Sequence, residues 1–196
     1  MSNKTFYKGL FLAEVEKIND VKLKTVCKKM VKDIEGYFWT VPASSSGKYH
    51  PKCSLGEGGL VRHSLMVSKI ADELVTTEMF CRDNLANRDI ARVAALFHDC
   101  CKQGINKGNE ESHTVFEHPL LACDFVRQQL EAGKIDPLKI EMICDAIRTH
   151  MGKWCTSTYS NVSMSKPRTD FEKMIHIADY MASRKYMGIA EEWKDA

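Results

Sequence analysis

An all-α fold is what this sequence predicts, and three observations carry the expectation. Apolar residues recur at helical spacing along nearly the whole chain, as in Phe11, Val15 and Ile18, then Val26, Met30 and Ile34, then Leu65, Ile70 and Leu74. No stretch alternates apolar and polar residues for long enough to read as a half-buried strand. Residues suited to starting helices stand near the heads of the periodic runs: Asp20, Asn87, Asp136 followed by Pro137, and Thr169.

Taken in order, Phe11, Val15 and Ile18 place a first helix over roughly 5–18. A second, roughly 20–37, opens at Asp20, turns Val26, Met30 and Ile34 inward and leaves Lys22, Lys24, Lys28, Lys29 and Lys32 for a solvated face. The third, roughly 59–81, begins at Gly58-Gly59, and the fourth, roughly 87–101, runs through the apolar stretch Ala91–Phe97. The fifth, sixth and seventh, roughly 117–132, 137–151 and 169–187, start at Glu117-His118, Asp136-Pro137 and Thr169. Two irregular segments, 40–58 and 152–168, interrupt them, and loops of that length inside a compact domain are more often functional than idle. The organisation expected is a helical hairpin and loop over 1–54, a main helical domain over 55–187 and a tail over 188–196.

A length of 196 residues suits one core, and 44% hydrophobic with 28% charged residues is globular. The balance of 28 Lys and Arg against 26 Asp and Glu gives +2, so an anionic substrate must be held by local charge. No apolar stretch approaches the ~20 residues of a membrane span. The run Gly9–Val15, broken by Glu14 and followed by Glu16 and Lys17, does not read as a signal peptide. Eight cysteines without a CxxC pair, in a chain well above miniprotein size, read as reduced thiols in a cytoplasm.

The sharpest chemical feature is the end of the fourth helix, where Ala91–Phe97 runs into His98 and Asp99. A buried imidazole and carboxylate must be paired or must coordinate a metal. His63, His118, His150 and Asp179 each lie near an end or an apolar face of another helix, which is how helical bundles bring donors into one interior site. Six nitrogen and oxygen donors on five helices suit one or two first-row divalent ions better than a thiolate zinc site. Singly, each has an ordinary alternative: His150 can offset a helix dipole and Asp179 can pair with a neighbouring Arg or Lys. His113 reads as solvated, His50 as a surface residue of the first loop with contact to substrate as the alternative, and His176 as core with support for a ligand as the alternative. Cys100 and Cys101 read as packing residues, since adjacent cysteines are poorly disposed for one tetrahedral zinc. The lysine face of the second helix lacks the aromatic platform of a single-strand binder.

The order His63, His98-Asp99, Asp179 resembles the H…HD…D signature of the HD-domain metal-dependent phosphohydrolase superfamily. The local words are similar too: Gly58-Gly59-Leu60-Val61-Arg62-His63-Ser64-Leu65 resembles GGL-x-x-H-[ST]-L, and Ala95 to Lys102 resembles LLHDxxK. The resemblance covers roughly 55–187 and implies an HD-domain helical bundle behind an N-terminal helical hairpin. Glu117-His118 and Thr149-His150-Met151-Gly152 resemble the two-metal subset, which includes exoribonucleases and cyclic-dinucleotide phosphodiesterases. On that likeness His63, His98, Asp99 and Asp179 hold a first divalent ion (Mn, Fe, Zn, Ni or Mg), Asp99 bridges, and His118 and His150 hold a second. Met151 stands where many two-metal members carry a second His, which implies one tight ion and one weaker.

The activity implied is hydrolysis of a phosphomonoester or phosphodiester on a nucleotide or short nucleic acid. Asp99 and Lys102 are then the catalytic pair, with Lys102 neutralising phosphoryl charge and Arg62, Lys153 and Arg184 as further substrate-binding cations. The partners expected are a nucleotide or other phosphoester, nucleic-acid ends included, and no membrane. Residues 1–54 read as helices and loop rather than an OB-fold, which favours a small substrate over processive degradation of RNA. The alternatives are a di-iron HD-type oxygenase, which wants the full binuclear site that Met151 interrupts, and a metal-binding regulatory module without turnover.

Overall fold

The computed structural model describes residues 3–80, 88–105 and 113–188; Asn87, Cys81 and the tail from 189 onward lie outside them. Within the described residues the structure is all helical. The helices are α1 (Asn3–Val15), α2 (Val21–Asp33), α3 (Gly59–Leu74), α4 (Arg88–Phe97), α5 (His118–Ala132), α6 (Pro137–Thr149) and α7 (Asp170–Ala182), with short 3-10 turns between them. Three of the four expected caps are in place, Asn87 lying outside the described residues. Asp20 accepts from the Leu23 amide, Asp136 from those of Leu138 and Lys139, and Thr169 forms a capping box with Glu172.

Several helices end earlier than their apolar periodicity suggests, each for a local reason. After α2, Ile34 turns extended and Gly36–Trp39 forms a 3-10 turn that buries Phe38 and Trp39. Burying two aromatic rings outweighs one more turn of helix. Beyond α3, the hydroxyls of Thr76 and Thr77 each donate at 2.7 Å to the carbonyls of Glu73 and Leu74, offering the backbone a competing partner. Past α4, the tighter bonds Cys100 N to Phe97 O and Lys102 N to Asp99 O replace the α ladder, so His98 and Asp99 lie in a turn rather than in the helix. Tyr37 closes that turn, its hydroxyl donating to Gly104 O and accepting from Gln103 N.

Helix α3 packs against α4 and α7, α6 against α5, α7 and α4, and α1 against α2 and α3. One continuous core results, in which Phe11 of α1 meets Phe38, Trp39 and Phe97 edge to face at centroid distances of 5.5–5.6 Å. A buried polar network reinforces it. Arg92 of α4 donates to Glu14 of α1 at 3.0 Å and to Asp72 of α3 at 2.8 Å, and Glu14 also takes Lys17 at 2.7 Å.

The loop over 40–58 folds back on the start of α3: Gly58 N bonds Thr40 O, Leu60 N bonds Val41 O and Ala43 N bonds Ser54 O. Gly58 has φ +69, and a Cβ there would overlap the Tyr7 ring, while one at Gly59 would overlap Ser54 O. Both glycines are therefore required by close approach, and they set where α3 and hence His63 begin. No described helix is long and apolar enough to cross a membrane. Seven described cysteines are free, Cys100 and Cys101 being buried with sulfurs 3.8 Å apart.

Candidate metal centre

Five helices deliver six side chains to one buried place. His63 comes from the second turn of α3, His98 and Asp99 from the turn after α4, His118 from the first residue of α5, His150 from the C-cap of α6 and Asp179 from α7. Five are fully buried. Asp179, with its side chain 21% exposed, is the most open and marks the way in.

The Asp99 carboxylate divides the cluster. Its Oδ2 faces His98 Nε2 at 3.4 Å and His63 Nε2 at 3.9 Å, while its Oδ1 faces His118 Nε2 at 3.0 Å and His150 Nε2 at 3.6 Å. Asp179 Oδ1 completes the first half, 3.0 Å from His63 Nε2 and 3.6 Å from His98 Nε2. Three groupings can each offer ligand atoms mutually within 4.8 Å: His63, His98 and Asp99; His98, His150 and Asp179; and Asp99, His118 and His150.

The backbone fixes which nitrogen each ring presents. Nδ1 of His98, His118 and His150 lies 2.7 Å from the carbonyl three residues back, that of Ala95, Val115 and Ile147 respectively. A carbonyl only accepts, so each Nδ1 carries the proton and each Nε2 turns a lone pair inward. His98 Nε2, His118 Nε2 and Asp99 Oδ1 are buried without any hydrogen-bond partner, although the last two approach to 3.0 Å. Buried acceptors left unpaired are costly, and converging ones are relieved by a cation between them. On that ground the residues fit a divalent ion.

Electrostatics agree. Burial would raise both aspartates, yet Lys102 and His98 hold Asp99, and His63 and His98 hold Asp179, well below the usual carboxylate range. Burial pushes His63 down and His150 down to about 3. At His98 burial acts the same way, but Asp99 and Asp179 outweigh it and lift it to about 10, so Nε2 holds a proton between the carboxylates and turns a lone pair inward only when a metal ion takes that proton's place. Two carboxylates this deep draw positive charge from every side.

Lys102, three residues past Asp99, sets its ammonium against Asp99 Oδ2. The other expected cations sit elsewhere. Arg62 is engaged by the fold: its guanidinium donates to the carbonyls of Cys53 and Leu55 and to the Tyr7 hydroxyl, clamping the loop over 40–58 to α3. Lys153 lies over the Trp154 ring, and Arg184 lies over Tyr180 and Tyr49.

Comparison with protein families matches the HD domain over residues 60–184, from the first turn of α3 to just past α7. The chain belongs to the HD-domain superfamily of metal-dependent phosphohydrolases. Neither the curated proteins nor the solved structures compared gave a match. The matched span of this HD domain contains all six clustered residues and Lys102, and it excludes α1 and α2.

Two residues near the HD site depart from their expected places. His50, expected at the surface, is half-buried with its ring centroid 5.2 Å from that of His63, and burial pushes it down to about 4. His176, where core packing is expected ahead of support for a ligand, is only half-buried, and its Nδ1 donates to His150 O at 2.7 Å, which is the supporting contact. Gly152, at φ +57, leaves room for that ring, which a Cβ would strike. His113 is exposed, as expected. Nothing in the sequence around His50 distinguished it from a loop histidine.

Proposed function

We propose that this HD-domain chain is a metal-dependent phosphohydrolase whose substrate is a nucleotide or short nucleic acid. The observation that carries the reading is the divided Asp99 carboxylate, with lone pairs of separate histidines converging on each of its oxygens. His63, His98, Asp99 and Asp179 would hold one ion, and Asp99, His118 and His150 a second that has one fewer donor, with Met151 in place of a further histidine. When bound, such ions supply a water acidic enough to attack near neutral pH and polarise a phosphoryl oxygen.

The protein's own groups do the rest. Asp99, held ionised, keeps its charge between the two halves, and the carbonyls of Ala95, Val115 and Ile147 keep three imidazoles in the ligating tautomer. Lys102 holds its ammonium against Asp99, and as negative charge grows on the phosphoryl oxygens that ammonium can share between them and Asp99. Burial of five of the six side chains keeps bulk water from screening these charges. A hydrolysis panel over nucleoside monophosphates, cyclic dinucleotides and single-stranded oligonucleotides, with added Mn²⁺ and metal content measured on the same sample, tests the reading. Turnover of at least one class is expected. Metal-loaded protein inert on all three contradicts it, and oxygen uptake by the iron-loaded form would then favour the oxygenase alternative.

A further inference from the structure

Beside the mouth of the cluster lies a strip of aromatic rings and cations that the metal chemistry does not use. Trp154 and Tyr180 are stacked, with centroids 5.8 Å apart and planes 17° from parallel. The Arg184 guanidinium lies 4.3 Å from the Tyr180 ring centre and 5.2 Å from that of Tyr49, so it bridges two rings. Lys153 Nζ stands 4.8 Å over Trp154, and Lys48 Nζ 5.2 Å over Tyr49. These residues come from three segments distant in sequence, yet Tyr49, Trp154 and Tyr180 remain 52%, 43% and 38% exposed. Among the described residues, no carboxylate lies within ion-pair distance of Lys48, Lys153 or Arg184.

Three links tie the strip to the cluster. Tyr180 follows Asp179, the most open of the six, and consecutive Cα atoms are about 3.8 Å apart. Tyr49 precedes His50, whose ring meets that of His63. Trp154 has the His176 ring 6.4 Å away, and His176 is bonded to His150 O. A ligand whose phosphate reaches the cluster past Asp179 therefore has part-exposed aromatic rings beside it, whose faces are covered by one another and by the cations. A cation over an exposed ring is weakly held, at about 0.5–1 kcal/mol. A planar base can displace it, and the released ammonium is left beside the ligand's phosphate.

We propose that Tyr49, Arg184, Tyr180 and Trp154 form a base-binding platform, seating the nucleobase of a nucleoside phosphate whose phosphate lies at the His/Asp cluster. This rests on the phosphohydrolase reading and deepens it: it names the side chains that would seat the base, and it requires that base to be unpaired. Stacking tolerates any base because every base has a π-face, so the platform selects for a base and not for its identity.

The test is binding without turnover. With a chelator present, the full chain is titrated calorimetrically with adenosine monophosphate, with a single-stranded oligoadenylate and with ribose 5-phosphate, which has the same phosphate and no base. Wild type should bind the adenine ligands about 5- to 150-fold more tightly than ribose 5-phosphate, the range for losing one base–aromatic stack. Trp154→Ala/Tyr180→Ala should erase that preference, and Trp154→Phe/Tyr180→Phe, which keeps two rings, should retain most of it. Tighter binding of the oligoadenylate than of the mononucleotide identifies a strand end, and the reverse a free nucleotide; both support the platform. Equal affinity for ribose 5-phosphate and the adenine ligands in wild type, or a preference that survives the double alanine change in protein of unaltered circular dichroism, overturns it. A base preference without hydrolysis of any phosphoester would leave the platform standing and remove the hydrolase reading alone.

Discussion

Midway along α4, Arg92 sits buried with Glu14 and reaches half-buried Asp72; just past the end of α4, His98 and Asp99 sit buried with His63, His118 and His150 and reach half-buried Asp179. Both clusters join the same helices, α3 and α4, to other parts of the chain. The first is closed: the Arg92 guanidinium donates to both carboxylates, and Glu14 also takes Lys17 and Ser68. The second leaves two imidazole nitrogens and a carboxylate oxygen unpaired within 4 Å of other donors. Burial of charge is common to both, so burial alone does not mark a functional site. What distinguishes them is whether the polar atoms satisfy one another.

The contrast predicts different losses. The largest is at the open cluster, where His98→Ala/Asp99→Ala removes two donors of the first half and the carboxylate shared with the second. Elemental analysis should find no retained metal, and full occupancy in the double variant would mean that other residues ligate. At the closed cluster, Arg92→Ala takes a partner from buried Glu14 and half-buried Asp72, which keep only Lys17 and Arg88, and should cost about 1–3 kcal/mol of unfolding free energy in urea, with metal content unchanged in the folded fraction. A cost within the ±0.5 kcal/mol of ordinary surface changes would remove the contrast.

Lys102 belongs to neither type, because it partners Asp99 but can turn to substrate. Lys102→Ala should lower kcat by roughly 10²–10³ with metal retained. An effect confined to KM would reassign it to uniform binding of the phosphate.

The smallest effect is in pH. Burial would raise Glu14, but Lys17 and Arg92 hold it below its ordinary 4.5. A group lowered in the folded state adds stability above its unfolded pKa and loses it as pH falls through the folded value. Acid titration of stability should therefore decline below about 4.5 in wild type and decline less steeply in Glu14→Gln. Equal slopes would show that Glu14 carries no such linkage.

The helices were legible because their apolar spacing is strong, and the six clustered residues because each sits at a helix end or on an apolar face. The HD words around His63 and His98-Asp99 supplied their order. Helix ends were less legible, since Thr76, Thr77 and the ring burial of Phe38 and Trp39 act through local bonds and tertiary packing that periodicity does not encode. That the chain folds three oxygen acceptors around Arg62 was not legible either, because they come from loop and α1 residues that its place beside His63 does not announce. The aromatic strip was invisible for the same reason. Tyr49, Trp154 and Tyr180 meet only once α7 and the two long loops are in place, and no local spacing announces such a meeting.

The central claim, that the unpaired atoms around Asp99 are metal ligands, is tested most directly by titrating chelator-stripped wild type with Mn²⁺ by calorimetry and following the melting temperature. Two unequal binding events are predicted, the tighter one from the half containing His63 and Asp179. At a hundred times the tighter Kd, binding should add about 2.7 kcal/mol of stability, or roughly 5–10 °C in Tm for a chain of this size. Absence of both heat and Tm shift with Mn²⁺, and likewise with Fe²⁺ and Zn²⁺, would contradict the account, and two equally tight events would contradict the inequality drawn from Met151.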